Sequence, residues 1–166
     1  MKTAIYPGSF DPITNGHLDI LTRAVSIFDD VIIAVLENPS KQPLFDVATR
    51  VELITEATKH FKNLRVDSFR GLTVSYAENN KANSIIRGLR AVSDFEKELQ
   101  MAQANKNLNP KIETVFLMCS IEFAFLSSSL VKEICFLGGD IKDVVPECVD
   151  KYLSRLREKR FTNDCK

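Results

Sequence analysis

Val31-Ile32-Ile33-Ala34-Val35-Leu36 is an uninterrupted apolar run of strand length. A run with no polar face needs cover on both sides, as in a central strand of a parallel sheet. Strand-like and helix-like segments alternate outward from it. Upstream, Thr3-Ala4-Ile5-Tyr6 reads as a short strand closed by Pro7-Gly8. Leu18, Leu21, Val25 and Phe28 then recur at helical spacing over residues about 16 to 28. Downstream, a polar loop from Asn38 to Pro43 leads to Asp46, the predicted N-cap of a helix carrying Val47, Val51, Ile54 and Ala57. Leu64 to Phe69 reads as a third strand, residues about 72 to 80 as a short helix, and Ser84-Ile85-Ile86-Arg87 as a fourth strand stopped by Gly88. Ser93 and Glu96 match a capping box at the head of a long helix with the apolar stripe Val92, Phe95, Leu99 and Ala102. Thr114 to Met118 is a fifth strand, and helices over about 128 to 137 and 146 to 160 follow. The alternation predicts an α/β fold, a doubly wound five-stranded parallel sheet built from right-handed βαβ units. Residues 1–161 read as a single domain and 162–166 as a flexible tail.

Composition narrows the function. The 22 Lys and Arg residues balance 22 Asp and Glu residues, so the chain lacks the basic excess of a protein that wraps nucleic acid. The longest apolar run is far short of the roughly 20 residues that span a bilayer. No signal-peptide pattern opens the sequence, and a cytoplasmic location is expected. Cys119, Cys135, Cys148 and Cys165 contain no C-x-x-C pair, so neither a metal site nor a redox couple is expected of them.

Parallel sheets bind ligands beyond the carboxyl ends of their strands, and three unusual clusters fall there. Tyr6-Pro7-Gly8-Ser9-Phe10-Asp11-Pro12-Ile13-Thr14-Asn15-Gly16-His17 leads from the first strand into a helix N-terminus, where backbone N–H groups favour anions. It is neither a P-loop nor a G-x-G-x-x-G fingerprint. After the fourth strand, Arg87 and Arg90 flank Gly88 and Leu89, and guanidinium forks suit phosphate oxygens. Asp94 and Glu98 share the following helix face, as a solvated acidic edge or as acceptors for substrate amide, amine or hydroxyl groups. After the fifth strand, Ser127, Ser128 and Ser129 put hydroxyls and amides at another helix N-terminus.

The segment G-S-F-D-P-I-T-N-G-H resembles the T-x-G-H variant of the nucleotidyltransferase motif. With the Lys41 loop, I-I-R-G-L-R-A-V-S-D-F-E-x-E-x-Q and S-S-S-L-V-K-E, it resembles the bacterial phosphopantetheine adenylyltransferase family from about residue 3 to about 155. The resemblance implies a Rossmann-like nucleotidyltransferase fold. It also implies adenylyl transfer from ATP to 4′-phosphopantetheine, giving dephospho-CoA and pyrophosphate in the penultimate step of coenzyme A synthesis. The acceptor phosphate would attack the ATP α-phosphate in line, without a protein nucleophile.

Carried over by position, the resemblance gives His17, Lys41, Arg90 and Ser129 the catalytic roles, with His17 stabilising the transition state and Lys41 reaching both reacting phosphates. ATP would be met by Ser9, Phe10, His17, Gly88, Leu89, Arg90 and Glu98, and by the run Phe123, Ala124, Phe125, Leu126, Ser127, Ser128 and Ser129. Phosphopantetheine would be met by Ser9, Lys41, Thr73 and Arg87. Mg²⁺ would be held by ATP phosphates and water rather than by protein ligands. A homohexamer is implied, with coenzyme A as a candidate feedback ligand, and neither nucleic acid nor membrane as a partner. The chain departs from the family at Cys119, which replaces a proline, at Phe123, which replaces a tryptophan, and at Lys97, where an aromatic is frequent. Two rival readings share the fold: a nucleotidyltransferase for another acceptor, such as nicotinate mononucleotide or glycerol phosphate, and a nucleotide-binding regulator without activity.

Overall fold

The computed structural model describes residues 1–38, 42–90 and 92–164, without the side chains of 92–94 and 160–164. The strands are β1 (Thr3–Gly8), β2 (Asp30–Leu36), β3 (Leu64–Phe69), β4 (Ser84–Leu89) and β5 (Glu113–Met118). The helices are α1 (Asn15–Ile27), α2 (Val47–Thr58), α3 (Thr73–Asn79), α4 (Val92–Leu108), α5 (Ser128–Phe136) and α6 (Glu147–Asp164), with a 3₁₀ turn at Ile121–Phe123. All strands pair in parallel in one sheet, ordered β3-β2-β1-β4-β5.

That order follows from crossover handedness. The chain steps outward from β1 through β2 to β3, then returns to lay β4 on the other side of β1. Right-handed crossovers in opposite directions put their helices on opposite faces. Side chains in the central strands alternate accordingly. Ala4, Tyr6, Val31, Ile33 and Val35 join the large core with α1, α2, α5 and α6, while Ile5, Ile32 and Ile85 join a smaller one with Val74 and Ala77 of α3. Val31 to Val35 are wholly buried, as a strand covered on both faces requires.

Four elements depart from the sequence reading. β1 runs through Pro7 to Gly8 instead of closing there, because its pairing with β2 continues to Gly8↔Val35. β4 runs through Gly88 to Leu89, because pairing with β5 carries it to Leu89↔Met118. Ser93 lies inside α4 rather than at its N-cap, since the helix begins at Val92. Phe95 and Leu99 on its expected core stripe are 41% and 38% exposed, on a helix that packs at the β4–β5 edge of the sheet. α6 continues through 162–164, where a tail was expected, since no Gly or Pro interrupts the run from Glu147. Among the described residues, no helix is long and apolar enough to cross a membrane.

The feature that positions the site is a gap in the sheet. β1 pairs with β2 from Thr3↔Asp30 to Gly8↔Val35, but with β4 only at Ala4↔Ser84 and Ile5↔Ile85. Beyond those pairs the two central strands part. Their carboxyl halves open a crevice at the point where strand order reverses, the place where such sheets take ligands.

Candidate active site

A cavity of about 320 Å³ occupies this crevice, walled by the ends of β1 and β4, the head of α1, the middle of α4 and the start of α5. Its charged lining is Arg87, Arg90, Lys97 and Glu98, three cations to one carboxylate, an environment for anions.

The turn after β1 is built tightly. A Cβ on Gly8 would stand 2.9 Å from the Phe10 ring, so glycine is what lets the chain fold back on itself there. Phe10 sits at φ 46 and is buried, its ring edge-on to His17 at 5.1 Å and to Tyr6 at 5.4 Å. Asp11 fastens the turn. It accepts from the amides of Leu44 and Phe45, each at 2.9 Å, and from Lys132 Nζ at 2.6 Å. Burial works to raise its pKa, but these hydrogen bonds outweigh burial and hold the carboxyl below its usual range. The buried Arg50 of α2 donates to the Ser9 carbonyl at 2.7 Å.

Thr14 caps α1 in a reciprocal box, with His17 standing where glutamate or glutamine is usual. The Thr14 N–H donates to His17 Nδ1 at 3.0 Å. A backbone N–H can only donate, so Nδ1 is the accepting nitrogen and Nε2 carries the proton. Burial first, then Arg90 and Arg87, lower the His17 pKa to about 4. At neutral pH the ring is therefore uncharged, lines the cavity and offers one N–H donor.

At the end of β4, Arg87 spans the gap in the sheet. Its Nη1 donates to the Pro7 carbonyl at 3.0 Å, and its Nε and Nη2 meet the two carboxylate oxygens of Glu98 at 2.5 and 2.6 Å. Gly88 keeps the floor low, since a Cβ there would come within 3.1 Å of Ile20 Cγ1. Arg90 donates to the Leu126 carbonyl, tying the β4 exit to the segment before α5.

The three serines have separate tasks. Ser127 caps α5, its hydroxyl accepting from the Leu130 amide at 3.1 Å. Ser128 donates its hydroxyl to the Pro12 carbonyl at 2.7 Å. Ser129 lines the cavity with an exposed side chain, and the first amides of α5 have no partner within the helix. The segment after β5 is anchored by Asp19 of α1, which accepts from the Ser120 amide at 3.0 Å and its hydroxyl at 2.7 Å. Arg23 joins this anchor through Asp19 and the Met118 carbonyl.

Of the residues expected at the site, the fold gathers Ser9, Phe10, His17, Arg87, Gly88, Arg90, Glu98, Leu126, Ser127, Ser128 and Ser129 around one cavity. Lys41 lies outside the described residues. Leu89 is buried, Phe125 is exposed, and neither they nor Thr73, Phe123 and Ala124 line the cavity. Phe123 comes close behind the wall, its Cβ 3.4 Å from where a Gly16 Cβ would stand. Two of the departing residues, Cys119 and Lys97, do line it. Burial raises the Cys119 thiol above its usual pKa, which keeps it protonated and unreactive at neutral pH. Sequence reasoning missed Tyr6, which lines the same cavity. The only signal was a tyrosine two residues before Gly8. Among the described residues, no group of three His, Cys, Asp or Glu side chains is placed to hold a metal ion.

Known proteins resemble this chain along most of its length. The family model of the cytidylyltransferase-like proteins matches residues 5–134. A phosphopantetheine adenylyltransferase of Carboxydothermus hydrogenoformans is 52% identical over 165 residues, covering 99% of this chain and 100% of that protein. Proteins of the same name from Caldanaerobacter subterraneus subsp. tengcongensis and Synechococcus elongatus are 55% and 58% identical, covering 96% and 88% of this chain and 98% and 88% of theirs. A solved structure from Vibrio parahaemolyticus, named only provisionally as a nicotinate-nucleotide adenylyltransferase, superposes with a TM-score of 0.72 at 19% identity over 95% of this chain and 94% of that one. At that identity it speaks for the fold alone.

Proposed function

The chain belongs to the phosphopantetheine adenylyltransferase family, within the cytidylyltransferase-like proteins, and from that membership we infer that it transfers the adenylyl group of ATP to 4′-phosphopantetheine. The products are dephospho-CoA and pyrophosphate. The observation that carries this reading is the cationic cavity at the parting of β1 and β4, with a neutral imidazole donor in its wall.

The chemistry asks little of the protein beyond placement and charge. A phosphate monoester is already mostly ionised near neutral pH, so the attacking oxygen needs no general base. His17 could not readily serve as one, because Nδ1, its accepting nitrogen, is taken by the Thr14 amide. It acts as a donor instead, from Nε2–H to the α-phosphate oxygens as charge builds on them. Arg87, held by Glu98, presents its guanidinium to the acceptor phosphate. Arg90, the head of α5 and the Ser129 hydroxyl receive the triphosphate. Holding both reactants in line in one cavity converts a two-body encounter into a one-body step. Lys41 belongs to this scheme by family position.

The donor set fits a Mg²⁺ that arrives on the nucleotide. Glu98 and Asp11 are engaged by Arg87 and Lys132, so the ion would be held by phosphate oxygens and water. When bound it supplies neutralisation of the triphosphate charge. A cytoplasmic homohexamer, with coenzyme A as a feedback ligand, belongs to the same proposal. The exposed Phe95, Leu99 and Met101 of α4 and Met118 of β5 support apolar contact between copies.

The test is pyrophosphate release from ATP and Mg²⁺, with 4′-phosphopantetheine, nicotinate mononucleotide or glycerol 3-phosphate supplied separately. Release with phosphopantetheine alone, with dephospho-CoA detected by mass spectrometry, is the expected result. Release only with another acceptor would discard the substrate. Silence with all three, despite ATP binding, would favour a regulator.

A further inference from the structure

Tyr6 carries a hydroxyl that the described protein does not use. The residue is 6% exposed, in the half of β1 that has parted from β4, and it lines the cavity. No hydrogen bond from its hydroxyl to any described residue is formed, although a buried phenol ordinarily finds a partner. The other phenol beside the sheet does so: Tyr76 donates to Asp67 at 2.6 Å.

The surroundings say what the hydroxyl is for. A Cβ on Gly88 would stand 3.4 Å from the Tyr6 oxygen, so the hydroxyl lies over the one residue of the β4 exit with no side chain. Arg87, Arg90, Glu98 and Cys119 all act on it electrostatically. Cys119 is protonated, and both oxygens of Glu98 are held by Arg87. Among the described residues, then, Arg87 and Arg90 supply positive charge and none takes the hydroxyl's proton in a hydrogen bond. An anionic acceptor from outside the protein completes this neighbourhood.

We propose that the Tyr6 hydroxyl is a substrate-binding group of this site, donating a hydrogen bond to a phosphate oxygen seated over Gly88 between Arg87 and Arg90. Burial, its largest influence, holds the phenol well above its ordinary pKa, so it stays protonated as a donor through the neutral range. The ring has a second task, packing edge-on against Phe10, which in turn abuts His17. The two tasks separate cleanly, because phenylalanine keeps the ring and removes only the donor.

The inference rests on the proposed reaction for the identity of the phosphate. That phosphate belongs either to ATP or to phosphopantetheine. Wild type and Tyr6→Phe are titrated with each ligand by calorimetry, and both proteins are melted without ligand. Loss of a hydrogen bond to a charged group should weaken one of the two ligands about tenfold or more. The ligand that weakens identifies the phosphate. The melting temperature of the free protein should hold, since the variant keeps the packed ring and removes only a hydroxyl that faces the cavity. Unchanged affinity for both ligands overturns the proposal. So does a lowered melting temperature with parallel weakening of both ligands, the mark of a structural role. A wild type that binds both ligands yet releases no pyrophosphate would sink the reaction and leave the contact standing.

Discussion

Arg87 and Glu98 meet in a two-point ion pair on one wall of the cavity, Nε to Oε2 at 2.5 Å and Nη2 to Oε1 at 2.6 Å. Family position assigns them to different ligands. In the free protein each holds the other, with side chains 29% and 19% exposed. Burial works against the charge on Arg87, and the hydrogen bonds and charge of Glu98 more than offset it. The guanidinium is also fixed to the Pro7 carbonyl, so its orientation at the cavity wall is set before any ligand arrives.

Glu98→Ala should therefore act on the acceptor side. KM for phosphopantetheine should rise about tenfold, the scale of one charge-assisted contact, with a smaller change for ATP. Arg87→Ala should weaken phosphopantetheine further. The double variant should fall short of the sum, because the two residues work as a pair. Additive effects, or a rise confined to KM for ATP, would return Glu98 to direct ATP contact.

In the proposed reaction, His17→Ala removes a donor matched to charge that develops only in the transition state. Turnover should fall by about 10²- to 10³-fold, as for loss of an oxyanion donor, with ATP affinity little changed. Single-turnover kinetics and calorimetry separate the two. Comparable turnover in variant and wild type would remove His17 from the chemistry.

His17 also predicts an acid limb of stability. Its pKa falls to about 4 in the folded protein, against 6.5 for an unperturbed ring. Between those values the unfolded chain binds the extra proton, so this contribution is complete above 6.5 and is lost as pH drops toward 4. Thermal melts across that range should show a steeper decline for wild type than for His17→Ala. Parallel curves would mean that the ring titrates normally.

Asp11→Ala leaves the Lys132 ammonium and the amides of Leu44 and Phe45 without their acceptor. The carboxylate is 9% exposed and its lysine 24%, so the loss should approach that of a broken buried pair, about 3–5 kcal/mol. Denaturant melts at neutral pH read this directly. In wild type, the same contribution is present above the ordinary carboxylate pKa and fades as pH falls through the lowered one. A variant as stable as wild type would show that the turn holds without this anchor.

The site was partly legible because its residue types are rare in ordinary turns. Glycine, hydroxyls and a histidine at a strand exit, or two arginines around a glycine, have few structural uses, and these clusters do converge. What each member does was not legible. Three consecutive serines look alike in sequence, yet one caps α5, one binds Pro12 and one lines the cavity with an exposed side chain, according to which way each points in the first helical turn. Nothing local in the sequence marked Asp11 or Asp19 as an anchor. Their partners, Lys132 and Ser120, lie about a hundred residues away, beyond any local pattern.

The sequence by itself determined the alternation of elements, the covered central strand and the parallel sense of the strands, because period, length and crossover handedness are local or nearly local constraints. Of the helix heads, the one at Asp46 was legible in the sequence, while the caps at Thr14 and Ser127 came from the structure. Only the tertiary structure decided that β1 and β4 part after Ile5 and Ile85, that Arg87 bridges the gap to Pro7 and Glu98, and that the Tyr6 hydroxyl is left facing the cavity. Those outcomes depend on strands 80 residues apart competing for the same backbone and side-chain partners, and that competition exists only once the chain has folded.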